Sequence, residues 1–160
     1  MGKQIIHGKT ARKALARGVE RLAAAVEPTL GPKGLNAMVD RPVGTPLVTR
    51  DGVSIASEIE LTNRFENMGA QVVREVSMQT NEVAGDGTTT AIVLANAMIQ
   101  KGVELTESGV RPVDFCRGID MAVQAIIDAI DKSSRDCESN SDYLEAVARV
   151  SATDSKLGAM

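Results

Sequence analysis

The chain has 160 residues, a formal net charge of −3 and 43% hydrophobic residues, with aromatic residues at only 2%. This length suits one globular domain, or one domain with the start of another. The acidic balance argues against a general nucleic-acid binder, and the sequence has no apolar run near the roughly 18 to 20 residues that a membrane helix needs. We therefore expect neither a nucleic acid nor a membrane as a partner. The aliphatic, aromatic-poor composition favours packed helices over a β-sandwich.

The N-terminus and the cysteines are typical of a cytoplasmic protein. Residues 1–5 have neither the apolar core of a signal peptide nor the composition of a transit peptide. Cys116 and Cys137 are far apart and do not form a metal-ligand spacing, so we interpret them as two reduced thiols.

The first part of the chain predicts one long helix followed by a β-like region. Leu15, Val19, Leu22 and Val26 recur at helical spacing, which predicts a helix from about residue 9 to 27. A proline and a Gly-Pro-Lys-Gly turn then end this helix. The segments predicted as strands are 4–7, 35–39, 46–49 and 53–56, with a turn at 41–45 between the second and the third.

The remainder predicts helices separated by two breaks. A glycine-rich break lies at 85–87, and the polar stretch 133–140 is typical of a linker or domain border. The predicted helices cover about 64–84, a segment beginning near Thr88, a segment opened by Pro112, and 142–150. The expected fold class is therefore mainly α, with a small β-hairpin region.

The strongest candidate for chemistry is the segment Gly85-Asp86-Gly87-Thr88-Thr89-Thr90. Glycines allow the backbone to approach a ligand closely, and the free N–H groups at the start of the following helix can bind an anion. An aspartate beside a phosphate requires a bridging cation such as Mg²⁺, which takes one or two carboxylates. The alternative is a glycine hinge with a threonine N-cap. The segment does not match the Walker pattern.

Two further segments are weaker candidates. Residues 29–34, Thr-Leu-Gly-Pro-Lys-Gly, expose backbone beside a lysine, although such a sequence is more often a helix C-cap and turn. Asp51-Gly52 is typical of a turn between strands, yet an aspartate there could also orient a water for attack on a phosphate.

Together these segments closely resemble the group I chaperonins, the GroEL-type 60 kDa chaperonins, in their residues, their order and their spacing. The resemblance covers nearly the whole chain. The matching segments are 29–34 (TLGPKG), 51–53 (DGV), 58–61 (EIEL), 65–70 (FENMGA), 84–90 (AGDGTTT) and 117–120 (RGID).

The resemblance implies a subunit of an ATP-driven folding machine. In this family two stacked rings of seven subunits enclose a chamber for unfolded client proteins, and a co-chaperonin serves as the lid. The chain resembles roughly the first third of such a subunit. Residues 1–132 resemble the N-terminal half of the helical equatorial ATP-binding domain, and residues 133–160 resemble the start of the intermediate hinge domain.

The resemblance also implies an ATP and Mg²⁺ site with assigned residues. Asp51 matches the acidic residue that assists hydrolysis, and Asp86 matches the Mg²⁺ ligand. Residues 35–50 match the hairpin through which neighbouring subunits pair. The nucleotide-binding positions are Thr29, Leu30, Gly31, Pro32, Arg50, Asp86, Gly87, Thr88, Thr89, Thr90 and Ser151.

Three positions depart from the family pattern. Arg50 stands where Lys is usual. The positive charge is kept, but a planar guanidinium replaces a compact ammonium group, which could change the geometry at the phosphates. Leu35 replaces an Arg and Ala24 replaces an Asp, so the resemblance does not extend to the charges at these positions, which in the family bear on subunit contacts or signalling between rings.

The remaining parts of the family's ATP site, and its whole apical domain, would lie beyond residue 160. We therefore expect the isolated chain to bind nucleotide poorly, to hydrolyse it hardly at all, and to expose apolar surface. The alternative is an assembly piece that joins rings or self-associates without turning over ATP.

Overall fold

The computed structural model describes residues 2–41, 44–135, 141–152 and 156–157, and divides into two compact units, residues 1–115 and 116–160. The described residues form helices and one two-stranded antiparallel sheet, which confirms the predicted mainly α fold with a small hairpin. The elements are α1 (Gly8–Val26), a 3₁₀ turn (Glu27–Thr29), β1 (Ala37–Val39), β2 (Leu47–Thr49), α2 (Gly52–Glu58), α3 (Arg64–Ala84), α4 (Thr88–Glu107), α5 (Pro112–Ser133) and α6 (Ser141–Ala152).

The core of the first unit lies where α1, α3 and α4 pack together, with the short helix α2 against them. The predicted stripe of α1 supplies Val19, Leu22 and Val26, each at most 2% exposed. Burial of such aliphatic side chains stabilises a fold by about 1.5–3 kcal/mol each. The other buried members of this cluster are Ala23, Ile55, Ala56, Ala70, Val73, Ile92 and Ala95.

Helices α1 and α3 approach each other closely at two glycines. A Cβ added at Gly18 would lie 1.8 Å from the carbonyl oxygen of Glu66, and one added at Gly69 would lie 2.1 Å from that of Leu15. Beside this crossing, the buried carboxylate of Glu66 forms ion pairs with Arg17 at 3.0 Å and Arg21 at 3.1 Å. The two helices therefore pack backbone against backbone.

Two of the predicted strands are wrong. Residues 4–7 lie outside any strand, and the side chain of Ile5 is 80% exposed. Residues 53–56 belong to α2, because the carboxylate of Asp51 caps this helix by accepting a hydrogen bond from the backbone N–H of Ser54 at 2.9 Å. Four residues are too few to separate the strand period from the helix period.

The predicted hairpin is confirmed. β1 pairs with β2 in antiparallel register, with Met38 opposite Val48. Both side chains are exposed, at 76% and 58%. Of the predicted turn, residues 42 and 43 lie outside the described residues.

The second unit contains most of α5 together with α6. Pro112 is the first residue of α5, as predicted, and no residue of α5 is buried. The apolar stripe of α5 is consequently exposed, with Ile126 at 57% and Ile130 at 60%. Cys116 is a free thiol, whereas Cys137 and most of the predicted linker lie outside the described residues. In the part of the chain that the structure describes, no helix is both long and apolar enough to span a bilayer.

Candidate functional site

The candidate site is built around the break between α3 and α4. Gly85 ends α3 in the left-handed conformation, and Gly87, with φ of 78°, immediately precedes α4. The prediction that Thr88 and Thr89 begin a helix is confirmed. The N-cap residue is Gly87 rather than a threonine, and no side chain among the described residues caps this helix. Its first N–H groups are therefore available to an anion.

Asp86 lies two residues before α4 and is exposed. One of its carboxylate oxygens accepts a hydrogen bond from the N–H of Gly87 at 2.6 Å. Among the described residues no group of three or more His, Cys, Asp and Glu side chains could hold a metal ion by itself. A Mg²⁺ ion that is also bound to phosphate oxygens takes only one or two carboxylates, so a single aspartate beside an anion site fits such an ion.

The start of α2 lies against the start of α4. A Cβ added at Gly52 would lie 2.4 Å from Thr89 Oγ1 and 3.0 Å from Thr88 Oγ1. Asp51, directly before Gly52, accepts hydrogen bonds from both the N–H and the hydroxyl of Ser54. The fold thus brings Gly52, the neighbour of Asp51, to Thr88 and Thr89, which are far from it in sequence.

The first residue of the segment 29–34 ends the 3₁₀ turn Glu27–Thr29, which contacts α4. Thr29 is buried and its hydroxyl donates to the carbonyl oxygen of Val26 at 2.7 Å. Gly31 has φ of 80° with open space beside it, whereas a Cβ at Gly34 would lie 2.1 Å from the carbonyl oxygen of Thr29. Gly31 can therefore face a ligand, and Gly34 closes the loop on itself.

The other predicted site residues are placed as follows. Leu30 is 44% exposed and Pro32 is exposed. Arg50 is exposed, between the end of β2 and Asp51. Ser151 lies in α6, in the second unit, and its assignment to the site stays a prediction.

Sequence reasoning missed Arg74, which holds the other end of α2. Its guanidinium donates to the carbonyl oxygens of Ala56, at 2.9 Å, and Ile59. These acceptors belong to the last turn of the helix and its C-cap, where carbonyls lack partners within a helix. No periodicity in the sequence indicates this contact, since the donor and the acceptors are more than a dozen residues apart.

Comparisons with known proteins define the class of this chain. Residues 22–159 match the model of the TCP-1/cpn60 chaperonin family. The chain therefore belongs to the TCP-1/cpn60 chaperonin family.

Particular relatives agree with this assignment. The chain is 65% identical over 158 residues to chaperonin GroEL 4 of Bradyrhizobium diazoefficiens, an alignment that covers 99% of this chain and 29% of that protein. It is also similar in structure to a group III chaperonin crystallised in the open state, with a TM-score of 0.77 and 31% identity over 91% of this chain and 29% of the other. The chain thus spans less than a third of the length of these relatives.

Proposed function

We propose that this chain supplies the phosphate- and magnesium-binding half of the ATP site of a chaperonin subunit that assists protein folding. The observation that carries the proposal is the meeting of two helix starts. The N-terminus of α4 has no side-chain cap, and Gly52, the residue after Asp51, lies against Thr88 and Thr89. The 65% identity to a GroEL-type relative agrees with this role.

Each residue has a specific task in this proposal. The N–H groups and hydroxyls of Thr88, Thr89 and Thr90 bind phosphate oxygens. Asp86 holds Mg²⁺, which neutralises phosphate charge when it is bound. Asp51 orients the attacking water, and the exposed Arg50 adds positive charge near the γ-phosphate.

The remaining assignments complete the proposal. Thr29, Leu30, Gly31 and Pro32 line the nucleotide, and Ser151 is a further proposed nucleotide-binding residue. Residues 1–132 form the N-terminal half of the equatorial domain, and residues 133–160 begin the intermediate domain. In the family's arrangement the partners would be further copies of the subunit in a double ring of seven, unfolded client proteins and a co-chaperonin lid. The cytoplasm is the proposed compartment.

Nuclear magnetic resonance tests the site, because it detects weak binding at single amides. Millimolar Mg-ATP should shift the amide resonances of Thr88, Thr89 and Thr90 in the isotope-labelled chain, and omission of Mg²⁺ should weaken the effect. Asp86→Asn should raise the Kd by about tenfold, equivalent to the loss of about 1.4 kcal/mol. Asp128→Asn, at an exposed carboxylate of α5, is the matched control and should bind as the wild type does. Shifts absent from residues 86–90, or unaffected by Asp86→Asn, would refute the site.

The hairpin supports a second role, in assembly. Met38 and Val48 are cross-strand partners on one face of the hairpin, and both are well exposed. Among the described residues the sheet has only these two strands, so each has an unpaired edge that can pair with another chain. Sedimentation should therefore show self-association that Met38→Lys/Val48→Lys reduces. Val113→Lys, at a side chain 77% exposed elsewhere, is the control. A wild-type chain that stays monomeric at high concentration would contradict an assembly role for the hairpin.

A further inference from the structure

We infer that Gly52 is a positioning residue of the proposed ATP site: only glycine at this position lets Asp51 and the N-terminus of α4 face the same phosphate. This inference rests on the function proposed above. It concerns a residue that is not itself among the proposed ligand-binding positions.

The requirement for glycine at this position is spatial. Gly52 begins an ordinary helix and does not have a positive φ, unlike Gly31, Gly85 and Gly87. Glycine has a lower helix propensity than alanine, so helix formation alone gives no reason for a glycine here. The space beside Gly52 is nevertheless filled, because a Cβ would lie 2.9 Å from the backbone nitrogen of Thr89 as well as 2.4 Å from its hydroxyl oxygen.

Those atoms are the proposed phosphate donors. A methyl group at residue 52 would therefore press on the N–H and the hydroxyl of Thr89 rather than on an inert part of the fold. The hydroxyl can exchange between the two χ1 rotamers that threonine adopts in a helix, but the backbone nitrogen of Thr89 cannot move without shifting α4.

Helix α2 has little freedom to move away either. Ile55 and Ala56 are buried in the core, at 2% and 0% exposure. Arg74 holds the carbonyl oxygens of Ala56 and Ile59 at the far end of the helix. An added methyl must therefore displace the start of α4 or rotate Asp51 out of the site.

Gly52→Ala tests this inference, with Gly118→Ala as the matched control. Gly118 lies within α5, has no positive φ and has open space where a Cβ would be. We expect Gly52→Ala to raise the Kd for Mg-ATP by about tenfold or more. It should also shift the amide resonances of Thr88 and Thr89 in the absence of nucleotide. Gly118→Ala should leave both unchanged.

A second variant separates the contact from a general loss of structure. Thr89→Ala removes the atom nearest to the new methyl group. Against this background, Gly52→Ala should cost a smaller factor in affinity than it does in the wild type, because contacting residues are energetically coupled. If Gly52→Ala alone fails to fold, recovery of the fold in the Gly52→Ala/Thr89→Ala double variant tests the same contact.

The outcomes distinguish the two proposals. If the wild type binds Mg-ATP through residues 86–90 and Gly52→Ala binds with the same Kd, the inference about Gly52 is wrong and the proposed function stands. An equal penalty for Gly52→Ala with and without Thr89→Ala would also overturn the inference. If the wild type shows no Mg-ATP binding, the proposed function fails and the inference fails with it.

Discussion

The crossing of α1 over α3 gives the sharpest prediction about stability. In Gly18→Ala the new methyl carbon would lie 1.8 Å from the carbonyl oxygen of Glu66 and 2.6 Å from its carbonyl carbon. Carbon–oxygen contacts of this kind lie at about 3.3–3.6 Å, so the helices must separate by about 1.5 Å. Both clashing atoms belong to the backbone of α3, which means that no side-chain rotation relieves the contact.

The expected cost follows from what this separation disrupts. It would loosen the packing of Val19 and Leu22 in the core, and the ion pairs of Arg17 and Arg21 with Glu66. Overpacking a core costs about 1–3 kcal/mol and sometimes more, while alanine returns about 0.5–1 kcal/mol of helix propensity. Because the displaced atoms are backbone, we expect a net loss of about 3 kcal/mol, a large share of the roughly 5–15 kcal/mol typical of a domain.

Urea denaturation followed by circular dichroism measures this loss. Gly118→Ala is again the control, since the same change at an open helical position should stabilise the chain by about 0.5–1 kcal/mol. A Gly18→Ala variant within about 0.5 kcal/mol of the wild type would show that the two helices do not pack at this distance.

Two further predictions concern a buried hydroxyl and an ion pair. Ser77 is fully buried, and its hydroxyl has no hydrogen-bond partner among the described residues, so Ser77→Ala should raise the free energy of unfolding by about 1–2 kcal/mol. A lower urea midpoint for Ser77→Ala would contradict that reasoning. The hydrogen bond from Lys9, with the added charge of Lys13, lowers the pKa of Glu107 below its ordinary value of 4.5. A lowered carboxyl pKa stabilises the fold above the unfolded pKa, and this contribution is lost as the pH falls through the folded value. Glu107→Gln should therefore remove part of the fall in urea midpoint below about pH 4.5, and an unchanged acid profile would count against this ion pair.

Local patterns were sufficient for most of the secondary structure. The stripe of Leu15, Val19, Leu22 and Val26 predicts α1, and three of the four are buried while Leu15 is 39% exposed. A first-turn proline predicts the start of α5. Both features depend on residues within a few positions of each other. The anion- and metal-binding character of the loop at 85–87 could also be predicted from local sequence, because glycine, aspartate and a helix start are adjacent there.

Local patterns failed where the same residues fit both a strand and a helix, or both a turn and a helix N-cap. Residues 53–56 fit a strand as well as a helix, and Asp51-Gly52 fits a turn as well as an N-cap. The helix predicted at 64–84 is present as α3, yet its apolar residues Met68 and Val72 are more than half exposed. The face of α3 that packs on α1 carries Gly69 and Ala70, because small residues let the two backbones approach.

The sequence alone therefore predicts which residue types could form the site and that a helix begins at Thr88. Both features depend only on residues that are neighbours in the chain. The common location of the site residues is a property of the tertiary structure. Two contacts join residues far apart in the chain. Gly52 lies against Thr88 and Thr89, and Arg74 donates a hydrogen bond to the last turn of α2. Such contacts exist only because burial of the shared core fixes α2 between its neighbours, and no local pattern in the sequence encodes those distances.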